Sequence, residues 1–351
     1  MQKCYALALS SGDQNSMFQA GALKGLATNM DASEMAYSAV SGTSGGAVNA
    51  VWLANYPAGQ EEAAADAMKA MWDSSATTKL YKDWLGGLAQ GLLLKGGLWN
   101  DKAILDWVST QMADVSPTQR FIDIGLTDVL SGTYVDYLQD QLTGDALNEV
   151  MYAQFAQAGM FPPVEYNNTE YFTGSTIWDL DVFSVVNQCV SQGYELSDVV
   201  VDVLLTSDRS LKTVDASNYN SIEMLFRYLV IERYYGAMDG LLRAQFAYPD
   251  VTFRHVVMPS DHLPNSIYPL NLTADEVTQI YTQGVTDGTA AAQGAGNNVS
   301  DLTHYYSLKK KGDKRVRGGV SYEQFLEKKA NGHFEDFDLH SDKLLAAMFL
   351  Q

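Results

Sequence analysis

Basic residues are scarce in this sequence: 23 Lys and Arg stand against 42 Asp and Glu, a formal charge of −19. So large an excess of acid repels phosphate backbones and excludes general nucleic-acid binding. Cysteine is scarcer still, with only Cys4 and Cys189 in 351 residues. Two thiols cannot supply a disulfide framework or a four-ligand zinc site; one bridge and two buried free thiols fit equally well. Long hydrophobic runs are absent: nothing approaches the ~18 apolar residues of a bilayer span, and the cluster Val199 to Leu205 is broken by Asp202. No secretory signal is expected, because Met1-Gln2-Lys3 runs into Cys4 to Leu9 without a small-residue cleavage site. A processed secretory or lumenal chain would read like a cytoplasmic one, so the compartment stays open. Glycosylation triplets at Asn167, Asn271 and Asn298 are about as many as chance supplies. With 46% apolar residues and only 8 Pro, the chain has the composition of a globular protein with a sizeable core.

The N-terminal pattern predicts strand, turn, helix, strand, turn, helix. Cys4 to Leu9 and Ala36 to Val40 are short apolar runs, each followed by a polar Gly/Ser turn and then by helical spacing over Phe18 to Leu26 and Ala47 to Asn55. Further helices are expected over Gln60 to Trp72, Asp145 to Gln157, Val182 to Ser191, Ser221 to Tyr248 and Ala274 to Gly284. Strands are expected at Phe121 to Thr127, Thr133 to Leu138, Val199 to Thr206 and Val251 to Val257, with a hairpin tip at Tyr166 to Thr169. Residues 86–115 read as turns and short helices, and Thr289 to Asn298 as small and flexible. Alternation of strands and helices predicts an α/β protein, a mixed, mostly parallel sheet covered on both sides. We divide it into residues 1–210 and a helical, loop-rich extension, 211–351, packed on the same core.

One turn carries chemistry. Gly42-Thr43-Ser44-Gly45-Gly46 fits G-x-S-x-G between a strand and a helix, the setting of a nucleophile elbow. The flanking glycines are needed because the backbone folds back on itself there, and the helix N-terminus faces a developing oxyanion. A Ser nucleophile needs a base, yet His255, His262, His304, His333 and His340 all come late and lie in no recognisable signature.

The first turn makes the pattern more specific. Ser10-Ser11-Gly12-Asp13-Gln14-Asn15-Ser16, followed by Ala20-Gly21-Ala22-Leu23, resembles the oxyanion loop and following helix of the patatin-like phospholipases. Phe121 to Gly132 resembles the family's strand and Thr-Asp segment, and Phe161 to Val164 with Tyr171-Phe172 resembles the approach to its Asp-Gly-Gly motif. The landmarks run from Cys4 to Val203 in family order, and the rest is similar to extended patatin-like proteins of single-celled eukaryotes. The resemblance implies a three-layer α/β/α fold and a Ser-Asp dyad hydrolysing glycerolipid esters through an acyl-enzyme, with Ser44 at the nucleophile position.

Two elements depart from that pattern. Tyr171-Phe172-Thr173-Gly174-Ser175 puts Thr173 where the dyad Asp belongs, and a hydroxyl cannot hold a proton taken from another hydroxyl near neutral pH. Ser11-Gly12-Asp13 replaces a glycine triplet, threatening a glycine-only backbone angle and setting the Asp13 charge beside the oxyanion position. Asp179 and Asp181 are expected to lie past the turn, toward the next helix, and Asp13 is a poor substitute base because it sits where an oxyanion would be stabilised. The expectation is a catalytically impaired pseudoenzyme kept for binding a lipid, a membrane surface or a protein partner, or for a structural role. The alternative is an active serine lipid acyl hydrolase of the phospholipase A type with a non-standard base.

Lys309 to Arg317 gathers six basic residues on an acidic chain. It reads either as a solvated loop or as a docking segment for anionic lipid or for another copy of the chain. Trp72, Trp84, Trp99 and Trp107 are read as filling an irregular, Gly-rich part of the core, with an acyl pocket or membrane contact as the other reading. No metal set, nucleotide loop or other cofactor motif is present in the sequence.

Overall fold

A computed structural model describes residues 3–208, 211–264 and 268–294. The basic run 309–317, Asn298 and the three histidines from His304 onward lie outside the described residues.

The strands are β1 (Cys4–Leu9), β2 (Ala39–Gly42), β3 (Phe121–Asp128), β4 (Tyr134–Leu138), β5 (Val164–Tyr166), β6 (Thr169–Thr173), β7 (Val199–Leu204) and β8 (Thr252–Val257). The helices are α1 (Met17–Ala27), α2 (Gly45–Ala54), α3 (Glu61–Thr77), α4 (Gly87–Leu94), α5 (Lys102–Met112), α6 (Asp145–Ala153), α7 (Val182–Ser191), α8 (Ser221–Ala247) and α9 (Ala274–Ala292). The strands form one sheet in the order β5-β6-β3-β2-β1-β7-β8, with β4 also paired to β3. The pairs from β3 through β2, β1 and β7 to β8 are parallel, and those joining β3 to β4, β3 to β6 and β5 to β6 are antiparallel.

Alternation along β1 sorts the two faces. Leu7 and Leu9 join the large core built with α1, α2 and α3, whereas Cys4 on the other face is bridged to Cys189 on α7. Of the two readings of the cysteines, the structure therefore takes the bridge, which spans 185 positions and ties the central strand to a covering helix. The Asp202 that interrupts the β7 run is fully buried. It accepts from the Tyr37 hydroxyl at 2.6 Å, from Arg254 at 2.5 and 3.1 Å and from the His255 N–H at 3.0 Å, so the buried carboxylate is fully partnered.

Several boundaries differ from those the sequence suggests. α9 runs to Ala292, well into the stretch read as flexible. Its Gly284 and Gly288 face Gly21 and Gly25 of α1, and at each of the four positions an added Cβ would press on backbone atoms of the opposite helix. The small residues thus let two helices touch closely instead of ending one. β2 starts at Ala39, later than Ala36. α6 stops at Ala153, earlier than Gln157, because the chain there turns to send Gln154 into the site. The hairpin tip forms as expected, with Asn167 and Asn168 at φ 50° and 60° in the left-handed region that Asn tolerates.

Candidate functional site

The loops that leave the C-terminal ends of β1 and β2 meet each other, as loops do at the edge of a parallel sheet. Ser44, fully buried, lies between β2 and α2 at φ 53°, ψ −129°. Such a positive φ is uncommon for a side-chain-bearing residue and persists only where packing fixes it. Here the packing is visible. A Cβ on Gly42 would strike the Gly46 carbonyl, and one on Gly46 would strike the Ser10 carbonyl and come 2.7 Å from that of Leu9. Gly45 needs to be small too, since a Cβ there would lie 2.7 Å from the Asp13 carbonyl oxygen.

The hydroxyl oxygen of Ser44 has no hydrogen-bond partner among the described residues. Its backbone N–H donates to Gln154 Oε1 at 2.7 Å. The same amide oxygen accepts from Thr173 Oγ1 at 3.4 Å, and Gln154 Nε2 donates to the Gly125 carbonyl on β3 at 3.0 Å. A neutral amide therefore joins the elbow to the residue at the dyad position. Thr173 is itself buried, with its hydroxyl 3.2 Å from Ser175 Oγ. Gln154 was not singled out in the sequence, where a Gln near a helix end carries no signal of its own.

The first loop keeps its sharp turn in spite of its substitutions. Asp13 adopts φ 48°, so the left-handed angle expected to be lost with the glycine triplet is held by an aspartate. Gly12 remains because Thr206 and the Ser16 hydroxyl crowd it: an added Cβ would lie 2.5 Å from Thr206 Cγ2. Nor is the Asp13 charge left alone. Its carboxylate accepts from Gln157 Nε2 at 2.8 and 2.7 Å and pairs with Arg233 of α8 at 3.4 Å.

Asp179 comes closer to the site than the spacing suggests. It accepts from the Ser11 hydroxyl, and its backbone carbonyl accepts the Ser11 N–H at 2.9 Å and the Thr43 hydroxyl at 3.0 Å, so it joins both loops. Burial raises its pKa to about 6, against the opposing pull of Arg233 and the Ser11 hydrogen bond. Asp181 instead caps α7, accepting from Ser184 N–H and hydroxyl at 3.0 and 2.7 Å and from the Tyr134 hydroxyl at 3.0 Å. Of the described histidines, His262 faces Asp208 at 2.6 Å and His255 lies on β8.

A cavity of about 300 Å³ opens over the first loop. Its lining includes Gly12, Asp13, Thr206, Met160, Arg233 and Phe226, while neither Ser44 nor Thr173 lines it. No group of three or more His, Cys, Asp or Glu among the described residues is arranged to hold a metal ion.

The family model for patatin-like phospholipase matches residues 7–180. The crystal structure of VipD from Legionella pneumophila is similar at a TM-score of 0.43 and 11% identity, over 84% of this chain and 67% of that one. No curated protein matches. The matched segment holds the first loop, the elbow, β3 and the β5–β6 hairpin, and through residues 7–180 the chain belongs to the patatin-like phospholipase family.

Proposed function

We propose that this domain is a catalytically impaired member of its family, retained for binding a lipid or a partner. The observation that carries the reading is at Ser44: its hydroxyl has no carboxylate or imidazole partner among the described residues, and the groups that link the elbow to the dyad position are an amide, Gln154, on the Ser44 N–H and an alcohol, Thr173, bonded to that amide. Without a base the hydroxyl keeps its proton at neutral pH and remains a weak nucleophile; loss of the base in a comparable hydrolase costs up to about 10⁶ in turnover. Of the nearby acids, Asp13 is engaged with Gln157 and Arg233, whereas Asp179 takes the Ser11 hydroxyl on one oxygen and has its buried Oδ2 without a hydrogen-bond partner among the described residues, which makes it the acid the variants below must test.

One observation favours the second reading, a working lipid acyl hydrolase. The elbow keeps its strained backbone at Ser44, the conformation a nucleophile uses. Turnover of short-chain and phospholipid esters by the wild type, Ser44→Ala and Thr173→Asp separates the two. The impaired-enzyme reading expects wild type and Ser44→Ala to be equal, with any gain appearing only in Thr173→Asp. Ser44-dependent turnover by the wild type, abolished by Asp13→Asn or Asp179→Asn, would establish the hydrolase.

A further inference from the structure

Leucines are exposed where the fold has no use for them. On α4 and the turn before it, Leu85 is fully exposed, Leu92, Leu93 and Leu94 are 69, 75 and 76% exposed, and Leu88 is 39% exposed. This segment is not a loose tail. Its ends are pinned by reciprocal backbone bonds between Lys82 and Asn100, at 3.1 and 2.9 Å. Gly91 is the buried contact of the helix, and a Cβ there would run into the backbone of Leu98. Just beyond, Trp99 is buried in a ring cluster with Tyr81, Phe161, Phe226 and Tyr268. The result is an arch anchored by aromatics with its leucines held outward.

The geometry of the arch selects the occupant. Successive residues on an α-helix are about 100° apart, so Leu92, Leu93 and Leu94 together face outward over about 200° of circumference. A groove on a protein receives one face of a helix, an apolar stripe of roughly 100°. A fluid hydrocarbon layer accepts side chains from every direction at once. The flanks fit such a layer: Trp84, whose indole N–H donates to the Gly97 carbonyl at 3.1 Å, and Lys95, whose ammonium lies 5.0 Å from the Trp84 ring centre, bracket the leucines with groups that settle at headgroup depth. Charge narrows the choice further. The chain carries −19, yet positions 84–100 contain no acid and one Lys. That segment can approach a zwitterionic surface without repulsion, and it lacks the basic cluster an anionic one would attract. Among the described residues no helix is long and apolar enough to cross a membrane, so the contact is interfacial.

We propose that the Leu85–Leu94 arch docks this domain on a neutral, zwitterionic lipid bilayer. This extends the non-catalytic reading by naming what the domain binds. Using lipid without acyl ester bonds keeps the two tests separate, since acyl ester turnover would sink that reading and leave this one standing.

The test is co-sedimentation of the full chain with vesicles of diether phosphatidylcholine. Binding should be insensitive to salt, and the combined variant Leu92→Ser, Leu93→Ser, Leu94→Ser should lower the partition coefficient by at least about 100-fold, given the apolar area that returns to water. Val190→Ser, an exposed apolar residue on α7, should leave it within about 2-fold. Should the triple variant not fold, brominated phosphatidylcholine serves on the unaltered chain: quenching of tryptophan emission should be lost in Trp84→Phe. Absence of binding, binding that needs anionic lipid, an unaffected triple variant, or quenching unchanged in Trp84→Phe would each overturn the proposal. So would a self-association in solution, seen by light scattering, that the leucine substitutions abolish while vesicle binding is nil.

Discussion

Gly42 to Gly46 keeps every steric requirement of a sharp strand-to-helix turn, whereas the end of β6 keeps its backbone place and presents an alcohol. The two sides answer to different constraints. On the elbow side, an added Cβ at Gly42, Gly45 or Gly46 would come within 2.7 Å of backbone atoms of the elbow itself or of the first loop, so the geometry is tied to the packing at the end of the central strands. On the other side, Thr173 is held by its backbone: its N–H donates to the Ala156 carbonyl at 3.1 Å, and its carbonyl accepts from Thr127 Oγ1 at 3.1 Å. The identity of its side chain is a smaller matter for stability. A catalytic arrangement can thus lose its chemistry on the cheap side while the strained side persists for structural reasons alone.

That contrast is open to attack by mutation. Gly46→Ala should have the largest effect: its Cβ meets two carbonyl oxygens of the β1 end, and chemical denaturation should show a loss of about 3 kcal/mol or more. A loss below about 1 kcal/mol would mean that the elbow is not sterically fixed.

Asp179, which joins the two loops, gives the next effect through pH. Native Asp179 holds its proton up to about pH 6, while the unfolded chain releases it near the ordinary 3.8. The native state binds more protons in that window, so this contribution is complete below about pH 4 and lost as pH rises through about 6, with a slope of up to about 1.4 kcal/mol per pH unit. Asp179→Asn should remove that slope and leave the variant more stable than the wild type above pH 6, to be read from denaturation midpoints across the range. Parallel curves would show that the group titrates normally.

Smaller effects lie on the permissive side. Gln154→Leu strands the buried Ser44 N–H and the Gly125 carbonyl, and should cost about 2 kcal/mol in the same assay. Thr173→Val removes only hydrogen bonds of 3.2 to 3.4 Å and should cost about 1 kcal/mol or less. A ranking with Thr173 above Gly46 would invert the contrast.

What could be read in the sequence follows the range of the interactions. The elbow, the first loop and the Asn167-Asn168 hairpin are local patterns of small and polar turn residues, and each lies where expected, although the left-handed angles of the first two fall on Asp13 and Ser44. The alcohol at Thr173 was legible because it departs from a known order of residues. The partners that complete the site were not, because they arrive from afar: Arg233 reaches Asp13 across 220 positions, and Gln154 reaches Ser44 across 110. Asp179 lies past the turn and before α7, as expected, but its contact with Ser11 could not be read from its linear distance to Thr173. In α9, Gly284 and Gly288 looked like the end of a helix because the opposing glycines of α1, which give them their purpose, are more than 250 residues away.

The claim beneath all of this is that the Ser44 hydroxyl lacks a base. Labelling of the folded full-length chain with a fluorophosphonate, beside Ser44→Ala and Thr173→Asp, tests it most directly, because the probe reports nucleophilicity without requiring the right substrate. The account predicts no more label on the wild type than on Ser44→Ala. Stoichiometric label on the wild type that Ser44→Ala abolishes would contradict it.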